Sequence, residues 1–145
     1  MARGSINFFN EESTYQLKQK RVLKEWIRLV ITSEEYELSE LNFILCSDDY
    51  LLRMNQEYLD HDTYTDVITF DNSEGLKSIT GDIFISVDRV AENAAGLGAT
   101  TASELHRVMV HGTLHLLGYK DKSKADKSLM TQKEDLFLSK LMPAS

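Results

Sequence analysis

Apolar residues along the chain form two kinds of pattern, which predict strands and helices. Short apolar runs, rich in β-branched and aromatic residues, have strand length and lie at residues 6–9, 41–46, 67–70 and 83–87. A turn cluster at residues 71–75 follows the third run, and the last two runs are predicted to form a hairpin. Stretches in which apolar residues recur every three or four positions predict amphipathic helices at residues 14–32, 47–59, 88–96, 101–117 and 123–141. The pattern therefore predicts an α+β fold, in which a four-stranded mixed sheet packs against about five helices.

Local signals place the helix ends. Two pairs have the spacing of a capping box, Thr101 with Glu104 and Ser123 with Asp126, and each predicts a helix start. The glycines expected to break or end helices are Gly96, Gly98 and Gly118. Neither an internal repeat nor a linker rich in Pro, Gly or Ser interrupts the chain. Residues 1–145 are therefore expected to form one domain.

Composition narrows the class of protein. The 145 residues are 42% hydrophobic and 27% charged, which is typical of a globular domain with its own core. Cys46 is the single cysteine, so an internal disulfide and a cysteine zinc site are both excluded. A reducing, cytoplasmic location fits this composition best. We expect no membrane span, because no apolar window approaches the roughly 20 residues required.

Taken alone, the net charge of −7 disfavours a nucleic-acid partner. The acidity is concentrated, however, because residues 34–82 hold 13 acids and two bases. Residues 1–33 and 120–145 each hold six bases, against three and four acids respectively. Lysines and an arginine in these two segments could form a basic rim that binds phosphates, namely Lys18, Lys20, Arg21, Lys24, Lys120, Lys122, Lys124 and Lys127.

Two histidines in the fourth helix suggest chemistry. His111 and His115 lie four residues apart, about 400° of rotation and about 6 Å of rise, so both imidazoles project from one helix face. Gly118 lets the chain reverse and brings Asp121 back toward that face. The spacing H-x-x-x-H-x-x-G-x-x-D is that of metzincin-type zinc sites, with a carboxylate in the last place. It predicts one divalent metal ion, with Zn²⁺ as the first choice. The alternative is a packed histidine pair with a solvated Asp121.

The residue after the first histidine excludes one enzyme class. A zinc protease of this type needs a glutamate there as general base, and this chain has Gly112. Three protein ligands with an open fourth position would still lower the pKa of a bound water toward 7. The motif therefore predicts metal-assisted hydrolysis by an enzyme other than a protease.

With these residues the chain resembles the YbeY endoribonucleases, a family of metal-dependent hydrolases that mature ribosomal RNA. That family carries H-G-x-L-H-L-x-G-Y-D-H, and residues 111–121 here are H-G-T-L-H-L-L-G-Y-K-D. Residues 65–70, T-D-V-I-T-F, are similar to the family's T-D-V-L-S-F, and G-D-I at residues 81–83 follows in the same order. The resemblance covers residues 45–121.

The resemblance implies a metal-dependent endoribonuclease, specific for single strands, that processes the 3′ end of 16S rRNA in ribosome assembly and quality control. It implies rRNA, the small ribosomal subunit and assembly proteins as partners. His111 and His115 would act in catalysis by holding the metal together with Asp121. Asp66 and Asp82, in the segments that match the family, are candidates for proton transfer, although hydrogen bonding at a turn or strand end would also explain them.

Two departures keep other functions open. Asp121 stands where the family usually has a third histidine, and Leu59 stands where it has an arginine implicated in RNA cleavage. His61, Arg53 or another base could supply that positive charge. One alternative is therefore a ribosome-associated assembly factor with a structural metal and little RNase activity. A second alternative, an iron oxygenase triad, is disfavoured because such sites usually take their ligands from a β-barrel.

Overall fold

The computed structural model describes residues 4–59, 65–75 and 77–141, and within them it has the predicted α+β architecture. Four strands and five helices follow one another in the order β1 (Ser5–Glu11), α1 (Lys20–Ser33), β2 (Glu37–Cys46), α2 (Asp48–Leu59), β3 (Val67–Asp71), β4 (Ser78–Ser86), α3 (Val87–Leu97), α4 (Thr101–Leu116) and α5 (Lys124–Ser139). The predicted number of strands is confirmed, and so is the predicted number of helices.

The sheet is mixed, as predicted, with strand order β1-β2-β4-β3. β1 and β4 both run parallel to β2, one on each side of it. β3 is an edge strand and pairs antiparallel with β4, which confirms the predicted hairpin. The parallel pairs explain why α1 and α2 separate these strands in the sequence, since a parallel connection needs a crossover.

The main core lies between one face of the sheet and the helices α1 and α4. Strand residues such as Leu41, Phe43 and Ile83 are fully buried there beside Trp26 and Leu105. The opposite face carries a smaller cluster in which α2 covers the sheet, formed by Cys46, Leu51 and Ile68. Trp26 and Cys46 are therefore core residues.

Several helix boundaries differ from the predicted ones. The predicted helix over residues 14–32 begins only at Lys20, because Gln19 has a left-handed backbone with φ of 58°. Gly96 does not break α3, which continues to Leu97 and ends where Gly98 adopts φ of 69°. The predicted capping box at Thr101 is also wrong by one residue, since the side chain of Thr100 caps α4.

The start of α5 is confirmed, and only some of its apolar residues face the core. Ser123 and Asp126 form a complete capping box. Leu129 and Leu136 are 44% and 45% exposed, whereas Met130 and Phe137 are buried, so the apolar pattern only partly marks the buried side of this helix. Separately, no helix in the described part of the chain is long and apolar enough to cross a bilayer.

Candidate metal centre

The histidine pair is held where α4 packs most closely on the sheet. A Cβ atom at Gly112 would lie 3.0 Å from the Cγ2 atom of Ile83 on β4, and one at Gly81 would lie 3.0 Å from a methyl of Leu116. Glycine at both positions therefore permits the close approach of helix and strand. The imidazoles of His111 and His115 then meet on one side of α4, with their Nε2 atoms 3.0 Å apart.

Asp121 returns to the pair through the turn that follows α4. Gly118 adopts φ of 100°, the left-handed region that favours glycine, and the Tyr119 N–H donates back to the carbonyl of Leu114. The Asp121 Oδ2 atom consequently lies 3.4 Å from His111 Nε2 and 3.3 Å from His115 Nε2. The structure thus brings together the three residues that the motif singles out.

Side chains from distant parts of the chain hold this turn in place. The Tyr36 hydroxyl, at the start of β2, donates to the Leu117 carbonyl at 3.1 Å. The Tyr119 hydroxyl donates to the carboxylate of Glu34, which also accepts from Lys133 Nζ at 3.1 Å. The position of Asp121 therefore depends on α1, β2 and α5 as well as on its own loop.

Hydrogen bonds on the far side of each ring fix the orientation of both imidazoles. His115 Nδ1 lies 3.0 Å from the Tyr119 carbonyl oxygen, which can only accept, so Nδ1 carries the proton. His111 Nδ1 lies 2.6 Å from Glu134 Oε2, and an ionised carboxylate likewise only accepts a hydrogen bond, so this Nδ1 also carries its proton. In the neutral rings both Nε2 atoms are left with lone pairs directed at each other and at the Asp121 carboxylate.

This donor set fits a divalent metal ion. The three atoms are separated by 3.0 to 3.4 Å, and atoms at about 2.1 Å from a tetrahedral zinc would lie about 3.4 Å apart. Two lone pairs and a carboxylate repel one another at this distance unless a cation lies between them. Two imidazoles and one carboxylate are also ligands that zinc accepts. The cluster is half-buried, since the side chains of His111, His115 and Asp121 are 23%, 26% and 42% exposed.

The electrostatics of the cluster also favour positive charge. Burial by itself lowers the pKa of His111, but the hydrogen bond and charge of Glu134, with the charges of Asp121 and Asp66, outweigh it and raise that pKa above its ordinary value. The raised pKa means that the surrounding carboxylates stabilise a cation at the ring.

Glu134 is the residue of this site that the sequence interpretation misses. It lies on α5, and its side chain is only 9% exposed. Its second oxygen accepts from Arg107 Nη1 at 2.8 Å, so the carboxylate joins α5 to α4 at two points. No local sequence pattern marks Glu134, because its burial beside Met130 and Phe137 is visible only in the structure.

The two carboxylates predicted to transfer protons lie in different surroundings. Asp66 precedes β3, where its carbonyl accepts from the Ser86 N–H at 2.9 Å, and its charge acts on His111. Asp82 alternates with Gly81 and Ile83 on β4, which places it on the sheet face opposite α4. Its Oδ1 accepts from Asn42 at 2.9 Å. The charge of Asp66 therefore acts on His111, whereas Asp82 lies on the other face of the sheet, and both catalytic roles stay predictions.

The positions considered for the missing arginine also differ. Leu59 is the last residue of α2 and is 43% exposed. Arg53 forms a salt bridge with Glu12, which engages its charge. His61 lies outside the described residues. His106, which the helical spacing excludes from the metal face, packs its ring edge-on to Trp26 at 6.3 Å.

Comparisons with known proteins identify relatives over nearly the whole chain. The family model described as endoribonuclease YbeY matches residues 5–142. A relative of that name from Cytophaga hutchinsonii is 52% identical over 139 residues, which cover 96% of this chain and 97% of the relative. One from Flavobacterium johnsoniae is 49% identical over 127 residues, with 88% and 91% covered. A solution structure of a Thermotoga maritima protein superposes with a TM-score of 0.68 at 28% identity, covering 94% of this chain and 89% of the other.

Proposed function

The chain belongs to the YbeY endoribonuclease family, and we propose that it hydrolyses single-stranded ribosomal RNA with a metal ion held by His111, His115 and Asp121. The observation that carries this proposal is the convergence of two Nε2 atoms and one carboxylate oxygen at 3.0 to 3.4 Å. Zinc is the metal that we propose, with one ion per chain, because two imidazoles and a carboxylate are established zinc ligands.

The chemistry that we propose divides between the ion and the side chains. A divalent ion at this site supplies Lewis acidity for phosphodiester hydrolysis. His111 and His115 keep their Nε2 lone pairs available because their Nδ1 protons are engaged by Glu134 and by the Tyr119 carbonyl. Asp66 is the carboxylate that we propose for proton transfer, since its charge already acts on His111. Asp82 is a weaker candidate because it lies on the other face of the sheet.

Lysines beside Asp121 are suited to bind the RNA backbone. Lys120 and Lys122 flank this carboxylate in the sequence, and both are exposed. We therefore propose that RNA phosphates contact these lysines, which bring positive charge to a protein that is acidic overall.

The wider role that we propose follows the family. The substrate region would be the 3′ end of 16S rRNA, and the partners would be the small ribosomal subunit and its assembly proteins, in the cytoplasm. Because the acidic segment at residues 34–82 repels phosphates, we expect RNA to approach only from the side of the lysines.

A second candidate function rests on Leu59. This exposed residue carries no charge at the position where the family has an arginine implicated in cleavage. If no other base replaces that arginine, the protein would act as a ribosome-associated assembly factor whose metal is structural. This alternative predicts full metal content and no cleavage.

The test compares wild-type protein with His115→Ala and with His106→Gln as a matched control on the same helix. Each protein is dialysed against Zn²⁺, analysed for bound metal, and incubated with a single-stranded fragment that carries the 3′ end of 16S rRNA. We expect one metal ion per chain and cleavage in the wild type and the control, and neither in His115→Ala.

Other results separate the alternatives. Equal metal content in His115→Ala and wild type would contradict the assignment of the ligands. Cleavage that persists undiminished in His115→Ala would show a contaminating nuclease and contradict the mechanism. Metal binding without cleavage by the wild type would favour the assembly factor.

A further inference from the structure

One buried carboxylate touches the candidate metal centre without belonging to its ligand set. Glu134 lies between Met130 and Phe137 on the side of α5 that faces the core, and its side chain is 9% exposed. Carboxylates are rarely buried unless they are paired. The contacts of Glu134 therefore need an explanation beyond packing.

Both carboxylate oxygens of Glu134 have a partner on α4. The Oε2 atom lies 2.6 Å from His111 Nδ1, and the Oε1 atom accepts from Arg107 Nη1 at 2.8 Å. Arg107 precedes His111 by one helical turn, so the two contacts of Glu134 lie one above the other on the same side of α4. Together they fix both the position and the orientation of the carboxylate. Arg107 is itself held by a second acid, because its Nη2 atom donates to Asp135 at 2.8 Å.

We propose that Glu134 is a positioning residue that holds His111 in the Nδ1–H tautomer and in the ring orientation that a metal ligand needs. An imidazole binds metal through its unprotonated nitrogen, and the hydrogen bond at the other nitrogen selects which one that is. With Nδ1 engaged by Glu134, only Nε2 of His111 can face His115 and Asp121. This inference rests on the proposed metal site.

The Nδ1 atoms of the two histidines donate to different acceptors, and this difference makes the inference specific to His111. His115 Nδ1 lies against the backbone carbonyl of Tyr119, so no change at Glu134 removes its partner. A change at Glu134 should therefore alter the tautomer of His111 and leave that of His115 unchanged. A general loosening of the fold would not distinguish the two rings in this way.

The experiment uses wild type, Glu134→Leu, Glu134→Gln and, as a control, Asp135→Asn. The control removes the other acid that contacts Arg107 without touching His111. Imidazole ¹⁵N NMR of the metal-free proteins at alkaline pH reports the tautomer of each ring. Competition against a chromophoric chelator measures the affinity for Zn²⁺ without any RNA.

We expect Nδ1–H at both histidines in the wild type. In Glu134→Leu, His111 should become a mixture of tautomers and the Zn²⁺ affinity should fall about 10- to 100-fold, the usual effect of losing such a partner. Glu134→Gln should restore the tautomer and most of the affinity, because its amide oxygen still accepts from Nδ1. Asp135→Asn should match the wild type in both measurements.

Two outcomes would overturn the inference. The first is an Nε2–H tautomer at His111 in the wild type, which decides the question even if Glu134→Leu fails to fold. The second is a folded Glu134→Leu that keeps Nδ1–H at His111 and binds Zn²⁺ as wild type does. Failure of the proposed function gives a different result, in which the wild-type protein binds no Zn²⁺ or cleaves no RNA. The tautomer of His111 in the metal-free protein still tests the role of Glu134 in that case.

Discussion

Replacing Gly112 with alanine tests whether the contact between α4 and the sheet is as close as the structure shows. The added Cβ would lie 3.0 and 3.2 Å from the Cγ2 and Cδ1 atoms of Ile83 and 3.3 Å from Cγ2 of Thr69. Ile83 is fully buried, so it has little room to move away. In an exposed helix the same change would stabilise the protein, because alanine is favoured over glycine in a helix interior.

The magnitude follows from two opposing contributions to the free energy of unfolding. Alanine gains about 1 kcal/mol in helix propensity. Inserting a methyl group into a close-packed core costs about 1 to 3 kcal/mol. Gly112→Ala should therefore destabilise the wild type by about 1 kcal/mol. In an Ile83→Ala background two of the three close contacts disappear, and Gly112→Ala should then stabilise the protein by up to about 1 kcal/mol.

Urea unfolding of the metal-free proteins, followed by circular dichroism, measures all four members of this double-mutant cycle. Removing the metal keeps ligand binding from adding to the stability. Ile83→Ala alone should lower the free energy of unfolding by about 2 to 5 kcal/mol, so the unfolding curves of the two backgrounds are well separated. If Gly112→Ala stabilises the wild type as much as it stabilises Ile83→Ala, the close packing of α4 on β4 is refuted.

Three further predictions concern the RNA contact, the core thiol and acid stability. Lys120→Gln and Lys122→Gln should each make the negative slope of log K against log salt for single-stranded RNA shallower by about 0.7, whereas Lys140→Gln should leave it unchanged; slopes equal to that of the wild type in all three would contradict the contact. Burial raises the pKa of Cys46 to about 12, so the native protein holds almost no reactive thiolate at neutral pH. Iodoacetamide should therefore label this thiol only as fast as the protein unfolds, and rapid labelling of the native protein would contradict its burial. Burial also lowers the pKa of His106. Its buried neutral form therefore contributes stability above about pH 6.5, and this stability is lost as the pH falls through the lowered pKa. The urea midpoint of His106→Gln should fall less on acidification than that of the wild type, and an equal fall would contradict this prediction.

The sequence predicts the parts of the structure that depend on local pattern. The hairpin, the mixed sheet and the converging His111, His115 and Asp121 all follow from short apolar runs and from helical spacing. The start of α1 is mispredicted because Leu17 continues the apolar pattern, although Gln19 leaves the helical conformation and no residue type there signals it. A local apolar pattern therefore does not predict a helix start that depends on an unusual backbone angle, such as the left-handed φ of Gln19.

The partners of the site could not be predicted, because they come from distant segments. Glu134 reaches His111 only because α5 crosses α4, and no local spacing reports that crossing. Asp82 shows the opposite case, since its motif matches the family while the alternation of β4 directs its side chain to the far face of the sheet. Residue identity indicates the chemistry, and the packing of the elements decides which groups share one site.

The central claim is that RNA cleavage by this protein depends on one metal ion held by His111, His115 and Asp121. The most direct test is to titrate metal-free protein with Zn²⁺ and to measure the initial rate of cleavage of single-stranded rRNA at each addition. The account predicts no cleavage without metal, a linear rise and a break at one equivalent per chain. Cleavage by the metal-free protein, or a rise without a break at one equivalent, would contradict it.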